Sequence, residues 1–413
     1  MFACSLLILI VRYVVNQCGS TSLGQPMSPI PDADALLRAA RTDTGLSDVG
    51  ADDFVVALRQ LVQSIDTESR LPAEGAVAAT QRLQRLIENR LRLQSDLTQH
   101  PEILQEALLP PLIICGLPRV GSTKLHQLLA KTGDFQALLF WQGFNPARRP
   151  GAQAVQERSR MDDAMRFLEW RSRRNAASNA AHFLAATEPE EDTYLLEFTL
   201  HTYWPVSYFE VPSFLHWLQS QDREAAFGYV RTLLQYLQWQ FHRGNVRPWV
   251  LKSPPNLGFE AQMARQLPGA RFVMLHRDPV ECIPSTVAIV RELRRLYGDG
   301  AGDLKKVGAW AMAEYAGAVA RHLHWRRTLP AGAVLDLAYR DIRDDYEKVL
   351  ERVYDFYGAP LTAAARQRME TWAGDNEQHK HGVHNYSLYE AGLSHRAIRQ
   401  QFAEYVDTFA AYI

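Results

Sequence analysis

The sequence predicts an α/β fold in three layers. Helices pack on both faces of a central parallel sheet of about five strands, with a helical extension before the sheet and a helical insertion within it. Three observations carry that prediction. Short apolar runs at 112–115, 138–141, 249–251, 271–275 and 333–337 alternate with helical patterns, which implies parallel pairing. The first run leads through a glycine-bounded loop straight into a helix. Arg119, Lys252 and Arg277 stand at or just beyond three predicted strand ends, the edge where α/β sheets bind ligands.

The 413 residues are 47% hydrophobic and 22% charged, enough for a large core, and a formal net charge of −1 argues against a general nucleic-acid binder. Cys4, Cys18, Cys115 and Cys282 show neither metal-ligand spacing nor a disulfide framework, which suits a reducing, cytoplasmic compartment. Residues 1–26 stand apart. Their apolar run at 6–11 is broken by Arg12, is short for a membrane span and lacks the basic start of a signal peptide. A weak membrane anchor and an extension upstream of a start at Met27 are the two readings, and the fold is argued without them.

Residues 27–105 read as helical. Ala35, Leu36, Leu37 and Ala40 recur at helical spacing, and Asp52 is placed to cap a helix carrying Phe54, Leu58, Leu61 and Val62. Residues 82–97 repeat leucines three and four apart with arginines between them. A layer packed on the main domain, 106–413, is the expectation; a protein–protein interface is the other reading.

The loop after the first strand lies in PPLIICGLPRVGSTKLHQLLA, residues 110–130. A loop opening a helix aims backbone N–H groups and the macrodipole at an anion. Gly116 and Gly121 have the spacing of a Walker A loop, so the predicted fold is P-loop-like. Ser122 holds the place of the Walker lysine, however, and Arg119 stands two residues before the second glycine. That pattern fits a phosphate or phosphosulfate better than ATP hydrolysis. An ordinary βα turn is the plain alternative.

GLPRVGST, residues 116–123, resembles the 5′-phosphosulfate loop of sulfotransferases that use 3′-phosphoadenosine 5′-phosphosulfate (PAPS), with Val120 in place of the usual Ser or Thr. FVMLHRDPVECIPST, residues 272–286, resembles their 3′-phosphate motif, in which Arg277 is followed eight residues later by Ser285. QHKHG at 378–382 resembles their Arg-Lys-Gly-type closing loop, and the stretch 384–394 resembles the tail of bacterial members of the "sulfotransferase family protein" type. The resemblance implies PAPS as donor and no metal. It implies that Arg119, Val120, Gly121, Ser122, Thr123 and Lys124 hold the phosphosulfate end. Arg277, Ser285, Lys380, His381 and Gly382 would hold the 3′-phosphate end, and Lys252 would neutralise the leaving phosphate.

The base is less direct. Small-molecule sulfotransferases of this kind end the relevant strand K-x-H; here the residues are Lys252, Ser253 and Pro254, and proline accepts no proton. Glu188, Glu190, Glu191 and Asp192 place four carboxylates within five residues at a helix start. One of them, held beside Phe183 and Leu184, is expected to have a raised pKa and to serve as base. Glu191 ranks ahead of Glu190, with His126 and His182 as rivals. A negatively charged helix start is the bland reading.

The insertion, 152–245, is helical and rich in aromatics, and its irregular part, 199–212, is expected to wall an acceptor pocket or else to pack the core. The function implied is transfer of a sulfuryl group to a hydroxyl, or an amine, of a small or lipid-like acceptor. The alternatives are a P-loop kinase or NTPase and a non-catalytic nucleotide-binding scaffold.

Overall fold

The computed structural model describes residues 30–298, 300, 302–375 and 387–413. Five strands form one sheet: β1 (Leu112–Gly116), β2 (Gln136–Ala137), β3 (Trp249–Lys252), β4 (Arg271–His276) and β5 (Val334–Ala338). Their spatial order is β2-β3-β1-β4-β5, and every pairing is parallel. Leu112 of β1 lies beside Val250 on one side and Arg271 on the other. All of β1 is buried, as the unbroken apolar run requires in a strand covered on both faces. The chain leaves β1 towards β2 and β3 on one side, then crosses to β4 and β5 on the other. That reversal opens a crevice at the carboxyl end of β1.

The second strand differs from expectation. β2 is two residues long and precedes the apolar run; Phe140 and Trp141 instead begin a short helix, Phe140–Phe144. Leu138 and Leu139 are apolar because they pack on the hydrophobic core, and their backbone pairs with the acidic stretch: Glu190 N–H donates to the Leu138 carbonyl at 2.7 Å, and Leu139 bridges Pro189.

The extension forms helices α1 (Ala33–Thr44), α2 (Asp53–Glu68) and α3 (Ala73–Gln99). Asp32 caps α1, accepting from the Ala35 N–H at 2.7 Å. Asp52 does not cap α2 with its side chain; its own backbone is helical. Leu83, Leu86, Leu91 and Leu93 of α3 are buried, and Arg82, Arg85 and Arg90 face the insertion. Arg82 Nε donates to Glu197 Oε1 at 2.5 Å, Arg85 reaches the other oxygen at 3.2 Å, and Arg90 donates to the Phe198 carbonyl at 2.7 Å.

Helix α4 (Ser122–Thr132) follows β1; α5 (Gln153–Arg174) and α6 (Glu224–Phe241) frame the insertion; α7 (Pro279–Tyr297) and α8 (Leu304–Arg326) follow β4. The irregular aromatics are core rather than a pocket wall. Tyr203, Trp204, Tyr208 and Phe209 are all buried, Trp204 stacks on Tyr208 at 5.1 Å, and Tyr297 of α7 packs on Phe209 at 4.9 Å. Among the described residues no helix is long and apolar enough to cross a membrane.

Candidate active site

The loop after β1 depends on its glycines. Gly116 has φ +146°, and a Cβ there would meet the Leu275 carbonyl at 2.7 Å and Val120 Cγ2 at 2.9 Å. Gly121 has φ +84°, with Tyr339 3.0 Å from where its Cβ would be. Val120 is fully buried beneath the loop. Its packing accounts for an apolar residue where a hydroxyl is usual. Arg119 has φ +70°, a left-handed conformation that costs a non-glycine residue about 1–3 kcal/mol. Ser122 begins α4, so the unpaired N–H groups of the first helical turn face the loop.

The two predicted phosphate motifs touch. Arg277 Nη1 donates to the Arg119 carbonyl at 2.9 Å, its Nε donates to Glu281 at 2.7 Å, and its guanidinium lies 4.1 Å above the Tyr339 ring. Desolvation and then the Arg277 charge lower the Arg119 pKa. Ser285 is buried on α7, the helix that Arg277 precedes. Lys124 sits apart from these groups, its ammonium 5.0 Å over the Tyr346 ring. Lys380, His381 and Gly382 lie outside the described residues.

Lys252 joins the acidic stretch to the loop. Its side chain is almost wholly buried, and Nζ donates to Glu191 Oε1 at 2.7 Å and to Thr123 Oγ1 at 3.3 Å. The acidic stretch reaches this point because it is laid along the chain after β2: the Phe140 N–H donates to the Glu188 carbonyl and the Trp141 N–H to the Ala186 carbonyl, both at 3.0 Å. Glu188 turns aside to Lys131 at 3.1 Å.

The carboxylates divide by environment. Glu190 accepts from His182 Nε2 at 3.3 Å and from the Glu191 N–H at 2.9 Å. Burial raises Glu190, but the His182 imidazole, the Lys252 ammonium and that N–H outweigh it and hold the carboxyl at about 2. The raised carboxyl is Asp192, which burial and the Glu191 charge push up to about 7. His126 is buried, its Nε2 donating to the Val250 carbonyl at 3.2 Å, and burial followed by the Lys252 charge lowers it to about 3. It packs against β3 as a neutral imidazole.

The pairing of Asp192 with Asn256, which donates from Nδ2 at 2.7 Å, was not expected from the sequence. The signal was present in Pro254. The proline that removes a histidine base also starts a 3₁₀ turn, Pro254–Asn256, which folds Asn256 back towards the acidic stretch.

The chain is similar to known proteins. The chain is 22% identical over 316 residues to the omega-hydroxy-beta-dihydromenaquinone-9 sulfotransferase Stf3 of Mycobacterium bovis, covering 73% of this chain and 75% of that protein. The crystal structure of sulfotransferase STF1 from Mycobacterium tuberculosis H37Rv superposes with a TM-score of 0.76 at 27% identity, covering 91% of this chain and 100% of that one. Sulfotransferase STF9 from Mycobacterium avium gives a TM-score of 0.78 at 25% identity, over 93% and 98%. The sulfotransferase family matches residues 110–363, a span that takes in the loop, the acidic stretch, Lys252 and Arg277 and exceeds half the sequence. The chain belongs to the sulfotransferase family.

Proposed function

We propose that the enzyme transfers the sulfuryl group of PAPS to a hydroxyl on a lipid-like acceptor. The observation that carries this reading is the buried lysine of β3, which bonds both to a carboxylate and to the loop threonine. It links a proton acceptor to an anion site by one cation. The acceptor class follows from Stf3, whose name gives a hydroxylated menaquinone derivative as its substrate.

In the proposed reaction the acceptor oxygen attacks sulfur in line with the bridging oxygen of the donor. The new O–S bond forms, the S–O bond to the 5′-phosphate breaks, and adenosine 3′,5′-bisphosphate leaves. Glu191 takes the hydroxyl proton, and Lys252 neutralises the charge on the departing phosphate oxygen. Glu190 is the weaker choice of base, since its two bonds to His182 and the Glu191 N–H stabilise the ionised form. Arg119 and the N–H groups at the start of α4 would hold the phosphosulfate; Arg277 and Ser285 would hold the 3′-phosphate. The loop fits such a group, because Ser122 opens α4 directly after Gly121 and the N–H groups of the first helical turn face the loop. We read residues 106–413 as the region carrying this chemistry, and 27–105 as a helical layer packed upon it.

A mass-spectrometric assay tests the reading. Full-length enzyme, PAPS and a long-chain prenyl alcohol are expected to give a product heavier by one SO₃ group, with release of adenosine 3′,5′-bisphosphate. Transfer from ATP instead, or transfer to small phenols with none to the lipid alcohol, would reject the donor or the acceptor class respectively.

A further inference from the structure

β4 ends on His276, a buried residue that the proposed chemistry does not use. Its Nε2 donates to Asp336 Oδ1 of β5 at 2.8 Å, and Asp336 is itself held by both terminal nitrogens of Arg326 at 2.6 and 2.7 Å. Burial lowers the imidazole pKa against the pull of Asp336, so the ring stays neutral and Nδ1 is left as an acceptor. The Tyr405 hydroxyl donates to that nitrogen at 3.1 Å. One side chain from the C-terminal helix Ala403–Thr408 therefore holds the last residue of the strand, directly before Arg277.

A second contact lies on the other flank. Arg399, on helix His395–Gln401, donates to Asp278 Oδ2 at 2.6 Å, and the other oxygen of Asp278 caps α7 by accepting from the Val280 N–H at 2.9 Å. Phe409 stacks on the His276 ring at 4.0 Å and closes the cluster. The C-terminal segment thus grips residues 276 and 278, while the Arg277 side chain projects from between the two anchors to the Arg119 carbonyl. An arginine fork recognises phosphate only if its backbone is held to within a fraction of an ångström.

We propose that residues 395–409 are a positioning element for the 3′-phosphate site, in which Tyr405 and Arg399 fix the backbone on either side of Arg277 and so set nucleotide affinity. The inference rests on the reading of Arg277 as a 3′-phosphate ligand. It assigns a role to the C-terminal segment without any contact between that segment and the nucleotide.

Calorimetry on the full-length protein tests it with two probes: adenosine 3′,5′-bisphosphate, and adenosine 5′-phosphosulfate, which lacks the 3′-phosphate. Tyr405→Phe removes only the hydroxyl and is expected to weaken the bisphosphate about fivefold, the size of one lost hydrogen bond. Arg399→Ala, at an exposed side chain, is expected to weaken it about twofold. Neither change should alter affinity for the phosphosulfate. In an Arg277→Ala background both effects should vanish, because the arginine they position is gone. Equal loss for the two probes would overturn the proposal in favour of general destabilisation. So would undiminished bisphosphate affinity in Tyr405→Phe and Arg399→Ala, where Arg277→Ala itself binds weakly. If Tyr405→Phe fails to fold, Arg399→Ala carries the same comparison. Normal bisphosphate binding by Arg277→Ala would remove the underlying assignment of the nucleotide site as well.

Discussion

Lys252 and Glu191 form a buried ion pair of 2.7 Å, with side chains 1% and 10% exposed. A pair so placed is costly to break from one side, because the remaining charge keeps its desolvation penalty without its partner. Lys252→Met should lower stability by about 3–5 kcal/mol. Lys252→Met combined with Glu191→Gln should recover much of that loss, while activity stays abolished. Urea denaturation of the two single variants and the double variant, set beside turnover, measures both effects.

Glu191→Gln alone is expected to keep nucleotide affinity and lower turnover by roughly 10²–10⁴, the range for a lost general base. Glu190→Gln should cost less, as should His182→Ala. His126→Ala should leave the proton transfer intact. The acceptor should be a high-pKa alcohol, since an acidic phenol ionises unaided and would mask the defect. Near-normal turnover in Glu191→Gln, with a large loss in a histidine variant, would move the base to that histidine.

Asp192 makes stability depend on pH. Its native pKa of about 7 lies above the ordinary aspartate value, so the folded state holds a proton that the unfolded state releases. Stability should therefore fall as pH rises from the ordinary aspartate range to about 7, with a total cost of up to about 4 kcal/mol above it. Asp192→Asn keeps an acceptor for Asn256 and cannot ionise. Its stability at pH 8 should exceed that of the unmodified protein, and the difference should shrink towards pH 4. Parallel urea titrations at the two pH values read the change; parallel curves for the two proteins would refute it.

Arg277→Ala and Ser285→Ala should both weaken adenosine 3′,5′-bisphosphate binding. A charge-assisted phosphate contact is worth about 1.5–3 kcal/mol, and Arg277 should matter more because it carries the charge. Unchanged calorimetric affinity in both variants would reject the assignment.

Four of the five strands were legible because a strand buried on both faces carries an apolar run, as β1, β3 before Lys252, β4 between Arg271 and His276, and β5 apart from Asp336 all do. β2 was not legible: it is two residues long, and one of them is the buried polar Gln136. The aromatics of 199–212 gave no period because three bodies share them, α3, α7 and the insertion itself; Arg82, for example, lies 4.2 Å over the Tyr208 ring. In the site, the cations at strand ends could be placed from the sheet pattern alone. The division of labour among the carboxylates could not. It depends on Lys252 reaching Glu191 across 61 positions and on Asn256 reaching Asp192 across 64, contacts that no local spacing encodes.

The arginines of α3 carry a consequence for how the chain can be divided. Arg82 and Arg85 both pair with the buried Glu197 carboxylate, and Arg82 also reaches the Tyr297 hydroxyl at 3.2 Å. A chain begun after residue 105 would keep Glu197 and Tyr208 but lose the guanidinium groups that neutralise one and cover the other. Its interior would open as a wet aromatic trough with a stranded charge at the bottom. The extension and the sheet are therefore expected to melt in one transition.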